Sequence, residues 1–204
     1  MSPDRAEILA ELRRRLAPTA PPVLDAEAWP SGVPALDALT GGWPRPGLTA
    51  IVGAPGTGRL GFVLPTLAAL TARERWVAVI DPNSWLYPPG LPDVNLARML
   101  LIRPPAPLAA WAAEQCARSG AVDLVLLLDP PPLHRAGRRL FHAAEAGRTA
   151  ILVIQERIDP DLPARLRLEM SGRGVARLTR GHPDARVDLP TAPQPPPLPV
   201  EIRW

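Results

Sequence analysis

Short apolar runs alternate with amphipathic segments through the middle of this chain. Apolar runs without polar alternation predict strands at Leu48–Val52, Trp76–Ile80, Met99–Ile102, Leu124–Leu128 and Ala150–Ile154. The segments between them have helical spacing and predict helices at Leu60–Thr71, Leu108–Ser119 and Pro132–Ala146. Such strands, separated by helices, are typical of a parallel sheet covered on both faces. We therefore expect an α/β core with a mainly parallel sheet flanked by helices over residues 35–190.

The pattern changes towards the C-terminus. Two shorter β candidates, Val175–Thr179 and Ala185–Leu189, lie on either side of Gly181-His182-Pro183. They predict a short antiparallel hairpin at the edge of the sheet. Residues 191–204 are too rich in proline to pack as a helix, and we expect them to run extended.

The N-terminus carries a separate amphipathic pattern. Residues 2–16 predict a helix whose apolar face consists of Ile8, Leu9, Leu12 and Leu16. Residues 18–34 are proline-rich and are interpreted as a linker, so this helix stands apart from the core and must bury its apolar face on that core or on another molecule. We expect residues 1–17 to mediate self-association or partner binding, with Val23 and Leu24 supplying a short edge strand. The alternative is that the helix folds back on its own core.

Composition narrows the class of protein. The chain has 204 residues, enough for one α/β domain with appendages, and its 29 prolines exclude a long helical bundle. A formal net charge of +3, with arginine as the basic residue throughout, does not demand a nucleic-acid partner. The single Cys116 excludes a disulfide framework. No apolar run reaches the roughly 18 residues of a membrane span and the N-terminus does not resemble a signal peptide, so we expect a cytoplasmic protein.

A glycine-rich segment follows the first predicted strand of the core. Gly53, Gly56 and Gly58 are spaced as in the phosphate-binding pattern GxxxxGK[ST], in which backbone amides cradle phosphate oxygens. The lysine of that pattern is replaced by Arg59, and the Mg²⁺-binding hydroxyl residue by Leu60. Three interpretations remain open: a fold element without hydrolysis, a weak nucleotide site, or an active ATPase.

A second candidate residue ends the strand Leu124–Leu128. Asp129 follows this apolar run directly, as the acid of a Walker B element does. A carboxylate there can orient a water molecule or a metal ion, or it can serve the structure alone. Together with the glycine-rich segment it marks a degenerate nucleotide site formed by Gly53, Gly56, Gly58, Arg59 and Asp129.

Several further segments resemble the core of RecA-like recombinases. They are Ser31–Gly42 with Pro46-Gly47-Leu48 ahead of the glycine-rich segment, Val79–Asn83, and Ala117–Asp123 leading into the Asp129 strand. Within that group, the sequences WPSG at 29–32, GWPR at 42–45 and WAAEQ at 111–115 look most like the ImuA family. These are RecA-like accessory proteins of SOS-induced mutagenic translesion DNA synthesis, distantly akin to SulA. The resemblance covers about residues 1–190 and implies a RecA-like P-loop core.

The departures from the RecA pattern bear on activity. Asn83 stands where the resemblance implies a catalytic glutamate, and an amide cannot act as a base. Only a short proline segment follows Asp129, where RecA carries its first DNA-binding loop. The region of the second loop, Arg157–Arg173, is short and is interpreted as a helix containing Leu162, Leu166 and Leu168.

The resemblance and these losses together imply a non-catalytic adaptor without a cofactor, a bound metal or a membrane association. Its expected partners are an ImuB-type inactive Y-family polymerase, an error-prone replicative-type DNA polymerase and RecA itself, with DNA binding weak or indirect. Two alternatives stay open. One is a slow RecA-like ATPase or DNA-binding recombination accessory protein, and the other is a SulA-like inhibitor of cell division.

Two features are left without a role. Trp85 and Tyr87 lie in a proline-containing loop, residues 82–92, where they form a binding surface or simply cover the edge of the sheet. The run PQPPPLP at residues 193–199 is typical of a polyproline II ligand or of a disordered tail.

Overall fold

The structure is a computed structural model that describes residues 28–181 and 185–189. The strands of this part are β1 (Ala28–Trp29), β2 (Trp43–Pro44), β3 (Gly47–Val52), β4 (Val77–Ile80), β5 (Met99–Ile102), β6 (Leu124–Leu128), β7 (Ala150–Gln155), β8 (Leu166–Gly172), β9 (Val175–Arg180) and β10 (Arg186–Asp188). The α-helices are α1 (Pro34–Thr40), α2 (Leu64–Ala72), α3 (Ala109–Arg118) and α4 (Ala136–Gly147). Short 3-10 helices cover Arg59–Phe62, Pro88–Gly90, Leu96–Arg98 and Ala106–Leu108.

One sheet organises these elements, in the spatial order β10-β9-β8-β3-β7-β6-β4-β5. The six strands from β8 to β5 are parallel, and β9 and β10 continue the sheet in antiparallel pairing. Helices α1 and α2 pack on one face, and α3 and α4 on the other. The expected α/β class, the mainly parallel sheet between helices and the C-terminal antiparallel hairpin are thereby confirmed.

Burial explains why the parallel strands could be predicted from their apolar sequences. Every residue of β3, β4, β6 and β7 is buried, because these strands lie inside the sheet and carry helices on both faces. Met99–Ile102 and Leu124–Leu128 have the predicted bounds. The bounds of the other three predicted parallel strands, β3, β4 and β7, agree with the structure to within one residue at each end.

The interpretation of Arg157–Arg173 as a helix is wrong. Residues 166–172 form β8, which pairs in parallel with β3 and in antiparallel fashion with β9. Leu166 and Leu168 are two residues apart, the spacing that places both on one face of a strand, and both are buried in the core. The leucine spacing in this short segment does not distinguish the helical period of 3.6 residues from the strand period of 2. Pairing with β3 and β9 decides in favour of a strand, and that pairing is not visible in the local sequence.

Residues 28–34, which the sequence assigned to a linker, pack against the domain and contribute Ser31 and Val33 to its buried interior. β1 pairs with β2, Val33 is fully buried, and Thr66 donates a hydrogen bond from its hydroxyl to the carbonyl oxygen of Ser31 (2.8 Å). Helix α1 begins directly afterwards at Pro34. This helix was not predicted from the sequence, because its apolar residues show no clear helical spacing. The predicted helix 2–16, with Ile8, Leu9, Leu12 and Leu16, the edge-strand residues Val23 and Leu24, and the segment 191–204 all lie outside the described residues.

Over residues 28–181 and 185–189, none of the helices combines the length and the apolar character needed to cross a bilayer.

Close contact between α3 and α4 leads to a first prediction. Gly147 ends α4, and a Cβ atom there would overlap the carbonyl oxygen of Ala117 in α3. At Gly172, at the end of β8, the nearest atom to an added Cβ would be Val175 Cβ at 3.9 Å. We expect Gly147→Ala to lower the free energy of unfolding by about 3 kcal/mol or more, the upper range for overpacking. Gly172→Ala should change it by less than about 0.5 kcal/mol, as is usual for unobstructed sites.

Denaturant unfolding of both variants measures these two free energies. Equal stability of the two variants would contradict the packing of α3 against the end of α4.

Candidate functional site

The carboxyl ends of the parallel strands converge on one edge of the sheet, where ligands of open α/β sheets commonly bind. A cleft of about 350 Å³ opens there. It is lined by Gly56, Gly58, Arg59, Leu60, Trp85, Leu86, Leu128, Asp129, Ile154 and Arg173. Four of the five predicted site residues therefore meet in one place, as their positions after β3 and β6 led us to expect.

The glycine-rich segment forms a tight turn between β3 and the first helical residues. Gly56 and Gly58 have φ angles of 80° and 91°, a region that favours glycine. Gly53 lies behind the cleft: its N–H donates to the carbonyl oxygen of Gln155 (3.1 Å), and a Cβ atom there would lie 2.6 Å from Met170 Cβ. Gly56 and Gly58 therefore line the cleft, whereas Gly53 does not.

The helix after the turn starts differently from the prediction. Arg59–Phe62 is a 3-10 helix, and α2 begins only at Leu64. Leu60 is half-buried against the core on the side of α2. It therefore packs as an ordinary apolar residue at the position where the P-loop pattern has a metal-binding hydroxyl.

Arg59 and Asp129 form the strongest interaction of the site. Arg59 Nη1 donates to Asp129 Oδ1 at 2.7 Å, and Arg59 Nη2 donates to Asp129 Oδ2 at 2.9 Å. The two side chains are only 8% and 13% exposed, so this fork-to-fork pair is almost fully withdrawn from water. Both carboxylate oxygens of Asp129 are thus engaged by the cation that replaces the lysine. Of the roles that the sequence left open for Asp129, orienting water or a metal ion or serving the structure alone, the pairing with Arg59 favours the structural one.

The backbone around Asp129 is fixed as well. Its φ is 36°, its N–H donates to the carbonyl oxygen of Ile154 (2.8 Å), and its carbonyl oxygen accepts a hydrogen bond from Asn83 Nδ2 (3.0 Å). Asn83 therefore does reach the site, where its amide holds the end of β6. An amide in this position donates a hydrogen bond and accepts no proton from water.

A clamp from the C-terminal hairpin holds the outer side of the turn. The N–H of Gly174, between β8 and β9, donates to the carbonyl oxygen of Thr57 (2.8 Å). The N–H of Leu189 donates in turn to the carbonyl oxygen of Gly174 (2.7 Å). Leu189 Cδ1 lies 3.7 Å from where a Cβ of Gly58 would stand. Sequence reasoning missed this clamp because nothing local in either segment signals a contact so distant along the chain.

A second clamp holds the loop that follows β4. Asp81 is fully buried, and its two carboxylate oxygens accept hydrogen bonds from the N–H groups of Trp85 and Leu86, each at 3.0 Å. Arg103 Nε lies 3.5 Å from the same carboxylate, and Arg103 Nη2 donates to the carbonyl oxygen of Leu86 (2.8 Å). Leu86 is buried and Trp85 is exposed, and both residues line the cleft.

Other titratable groups do not extend the site. Among the described residues, no group of three or more His, Cys, Asp or Glu is placed to hold a metal ion. Cys116 lies on α3, away from the cleft, and burial raises the pKa of its thiol. A thiol with a raised pKa is a poor nucleophile near neutral pH.

The sequence matches no protein-family model and no curated protein. The structure by itself defines an α/β protein with a parallel central sheet and a glycine-rich turn at its carboxyl edge. The distinguishing property of that turn is chemical: the cation it carries is neutralised by a carboxylate of the same chain.

The ion pair gives a second prediction. Arg59→Met strands a carboxylate and Asp129→Asn strands a guanidinium, so each should lower the free energy of unfolding by about 3–5 kcal/mol. Asn is chosen because it tolerates the positive φ of Asp129. The double variant leaves no buried charge and should lose clearly less than the sum of the two single losses.

Urea unfolding of the four proteins measures this coupling. The exposed pair Arg186–Asp188 (3.2 Å) is the matched control, since surface pairs are worth about 1 kcal/mol or less. Strictly additive losses at Arg59 and Asp129 would show that the two side chains do not interact in solution.

Proposed function

We propose that this protein is a non-catalytic RecA-like adaptor of the SOS-induced mutagenic translesion synthesis complex, acting through protein contacts. The observation that carries the non-catalytic part is the buried bidentate pair of Arg59 with Asp129. The resemblance of residues 29–32, 42–45 and 111–115 to the ImuA family carries the choice of complex. The position of the glycine-rich turn and of Asp129 at one edge of a parallel sheet supports a RecA-like P-loop core.

The ion pair argues against productive nucleotide binding. In a working P-loop the lysine is available to the β- and γ-phosphates, and a hydroxyl binds Mg²⁺. Here a phosphate would have to displace Asp129 from Arg59, and separating a buried pair costs about 3–5 kcal/mol. Leu60 offers no oxygen to a metal ion. The cleft is therefore better suited to a structural role than to holding a Mg²⁺-triphosphate.

Among the described residues that line the cleft, none offers an imidazole or an unpaired carboxylate as a general base. The carboxylate of Asp129 is engaged by Arg59, the carboxylate of Asp81 by two backbone N–H groups, and Asn83 carries an amide. Hydrolysis of a phosphoanhydride needs a group that orients and deprotonates water. None of these three side chains is available for that task.

An adaptor acts through its surfaces, and we assign the main one to residues 1–17. The apolar face Ile8, Leu9, Leu12 and Leu16 of the predicted helix docks on a partner or on a second copy of the chain, with Val23 and Leu24 adding a strand. Burying such side chains contributes about 1.5–3 kcal/mol each before the costs of ordering. The partners are an ImuB-type inactive polymerase, an error-prone replicative-type polymerase and RecA.

Nucleotide turnover is the first test of this proposal. We expect the wild-type protein to hydrolyse ATP no faster than a buffer control, with or without single-stranded DNA. Arg59→Lys/Leu60→Thr should remain slow, because Asn83 still supplies no base. Phosphate release well above the control, abolished by Gly58→Val, would refute the non-catalytic assignment.

Binding to purified partners is the second test. The full-length chain should retain an ImuB-type polymerase of the same organism on an affinity resin, and Leu9→Asp/Leu12→Asp should abolish retention. Arg13→Asp/Arg14→Asp is the matched control, since it changes charge on the polar side of the same predicted helix and should leave retention in place at moderate salt. Retention that is indifferent to Leu9→Asp/Leu12→Asp would remove residues 1–17 from the interface.

A further inference from the structure

The loop after β4 presents two aromatic side chains to solvent in a fixed arrangement. Trp85 is 63% exposed and Tyr87 is 72% exposed, whereas Leu86 between them is buried. The backbone that carries them is held by the buried Asp81 carboxylate and by Arg103. The exposure of both aromatic side chains therefore follows from a loop backbone that hydrogen bonds hold in place, and not from loose packing. Large aromatic side chains held rigidly in water are typical of binding surfaces.

The cleft beside Trp85 has the chemistry of a peptide groove. Its walls include the apolar residues Leu60, Leu86, Leu128 and Ile154. Arg59 is neutralised by Asp129, so Arg173 is the cation at the cleft that no carboxylate among the described residues pairs with. An extended peptide with apolar side chains and one acidic group fits these walls, and exposed aromatic rings are the usual receptors of polyproline II segments.

A segment of this composition leaves the fold at the rim of the same cleft. Leu189 contacts the region of Gly58 and is hydrogen-bonded to Gly174. The chain continues as PTAPQPPPLPVEIRW over residues 190–204. Its proline-rich part is followed by Leu198, Val200 and Ile202, which alternate with Pro199, Glu201 and Arg203.

Geometry permits this segment to cross the cleft. The nine residues from Leu189 to Leu198 span about 28 Å at the roughly 3.1 Å per residue of polyproline II. From β3 to β4 there are three strand spacings, about 14 Å in total. A tethered segment also has an effective concentration of about 1 mM or more at a site within its reach, which favours it over a free peptide.

We propose that this cleft is a binding site for a proline-rich extended peptide, and that its occupant is residues 190–204 of the same chain. The prolines lie against Trp85 and Tyr87, the apolar residues from Leu198 onwards enter the cleft, and Glu201 faces Arg173. This inference goes beyond the adaptor proposal and does not depend on which complex the protein joins.

Fluorine NMR of the full-length chain labelled with 5-fluorotryptophan tests the proposal. Trp85 and Trp111 are compared, since their exposed fractions in the structure are similar, 63% and 56%. A soluble gadolinium chelate should broaden the Trp111 resonance strongly and the Trp85 resonance much less. In Leu198→Asp/Ile202→Asp the two resonances should broaden alike, because the apolar contacts are lost. Trp85→Phe and Trp111→Phe assign the resonances.

A matched variant and a dilution series separate the alternatives. Thr191→Asp/Gln194→Asp adds the same two charges without removing an apolar group and should keep Trp85 protected. Equal broadening of Trp85 and Trp111 in the wild type would overturn the proposal, as would loss of protection in the matched variant. Protection that disappears on dilution would assign the cleft to residues 190–204 of a second copy and overturn the intramolecular occupant.

Discussion

The carboxyl edge of the sheet is organised around two opposite charges kept almost out of water, the Arg59 guanidinium and the Asp129 carboxylate. Removing them from water is costly, and only two parallel hydrogen bonds of good length make the burial tolerable. The pair ties the turn after β3 to the end of β6 across the intervening strand β7. Either charge would be costly to bury without the other, so the two side chains must stay in contact. Their contact holds the glycine-rich turn against the end of β6 at the cleft.

The two clamps hold the loops on either side of the ion pair in place. Gly174 and Leu189 hold the turn from one side, and Asp81 holds the neighbouring loop from the other. The charged side chains at this edge are satisfied within the protein: Arg59 pairs with Asp129, and the Asp81 carboxylate accepts two backbone N–H groups. A pre-formed surface of this kind loses little conformational entropy on association, which suits the proposed role in protein contacts.

Much of the fold was predictable because burial on both faces leaves a clear trace in the sequence. The uniformly apolar run Leu124–Leu128 shows this, and Asp129 could be placed beside the glycine-rich turn because parallel strands end at one edge. Two of the features that the sequence did not predict show why it fell short. The strand Leu166–Gly172 depends on pairing with β3 and β9, and the engagement of Arg59 by Asp129 depends on side-chain geometry that spacing does not encode.

The position of β3 also bears on how the chain reaches its native state. Its neighbours β7 and β8 come from the last third of the described chain, and Thr49 faces Leu166 in the finished sheet. β3 therefore has no partner strand until the long chain segment between β3 and β7 has closed into a loop. Closing that loop loses conformational entropy before the strand contacts contribute any stabilising free energy. During synthesis, β3 and its apolar side chains must wait until β7 and β8 have left the ribosome. An unpaired apolar strand exposes its side chains and its backbone polar groups over that interval and is prone to aggregation.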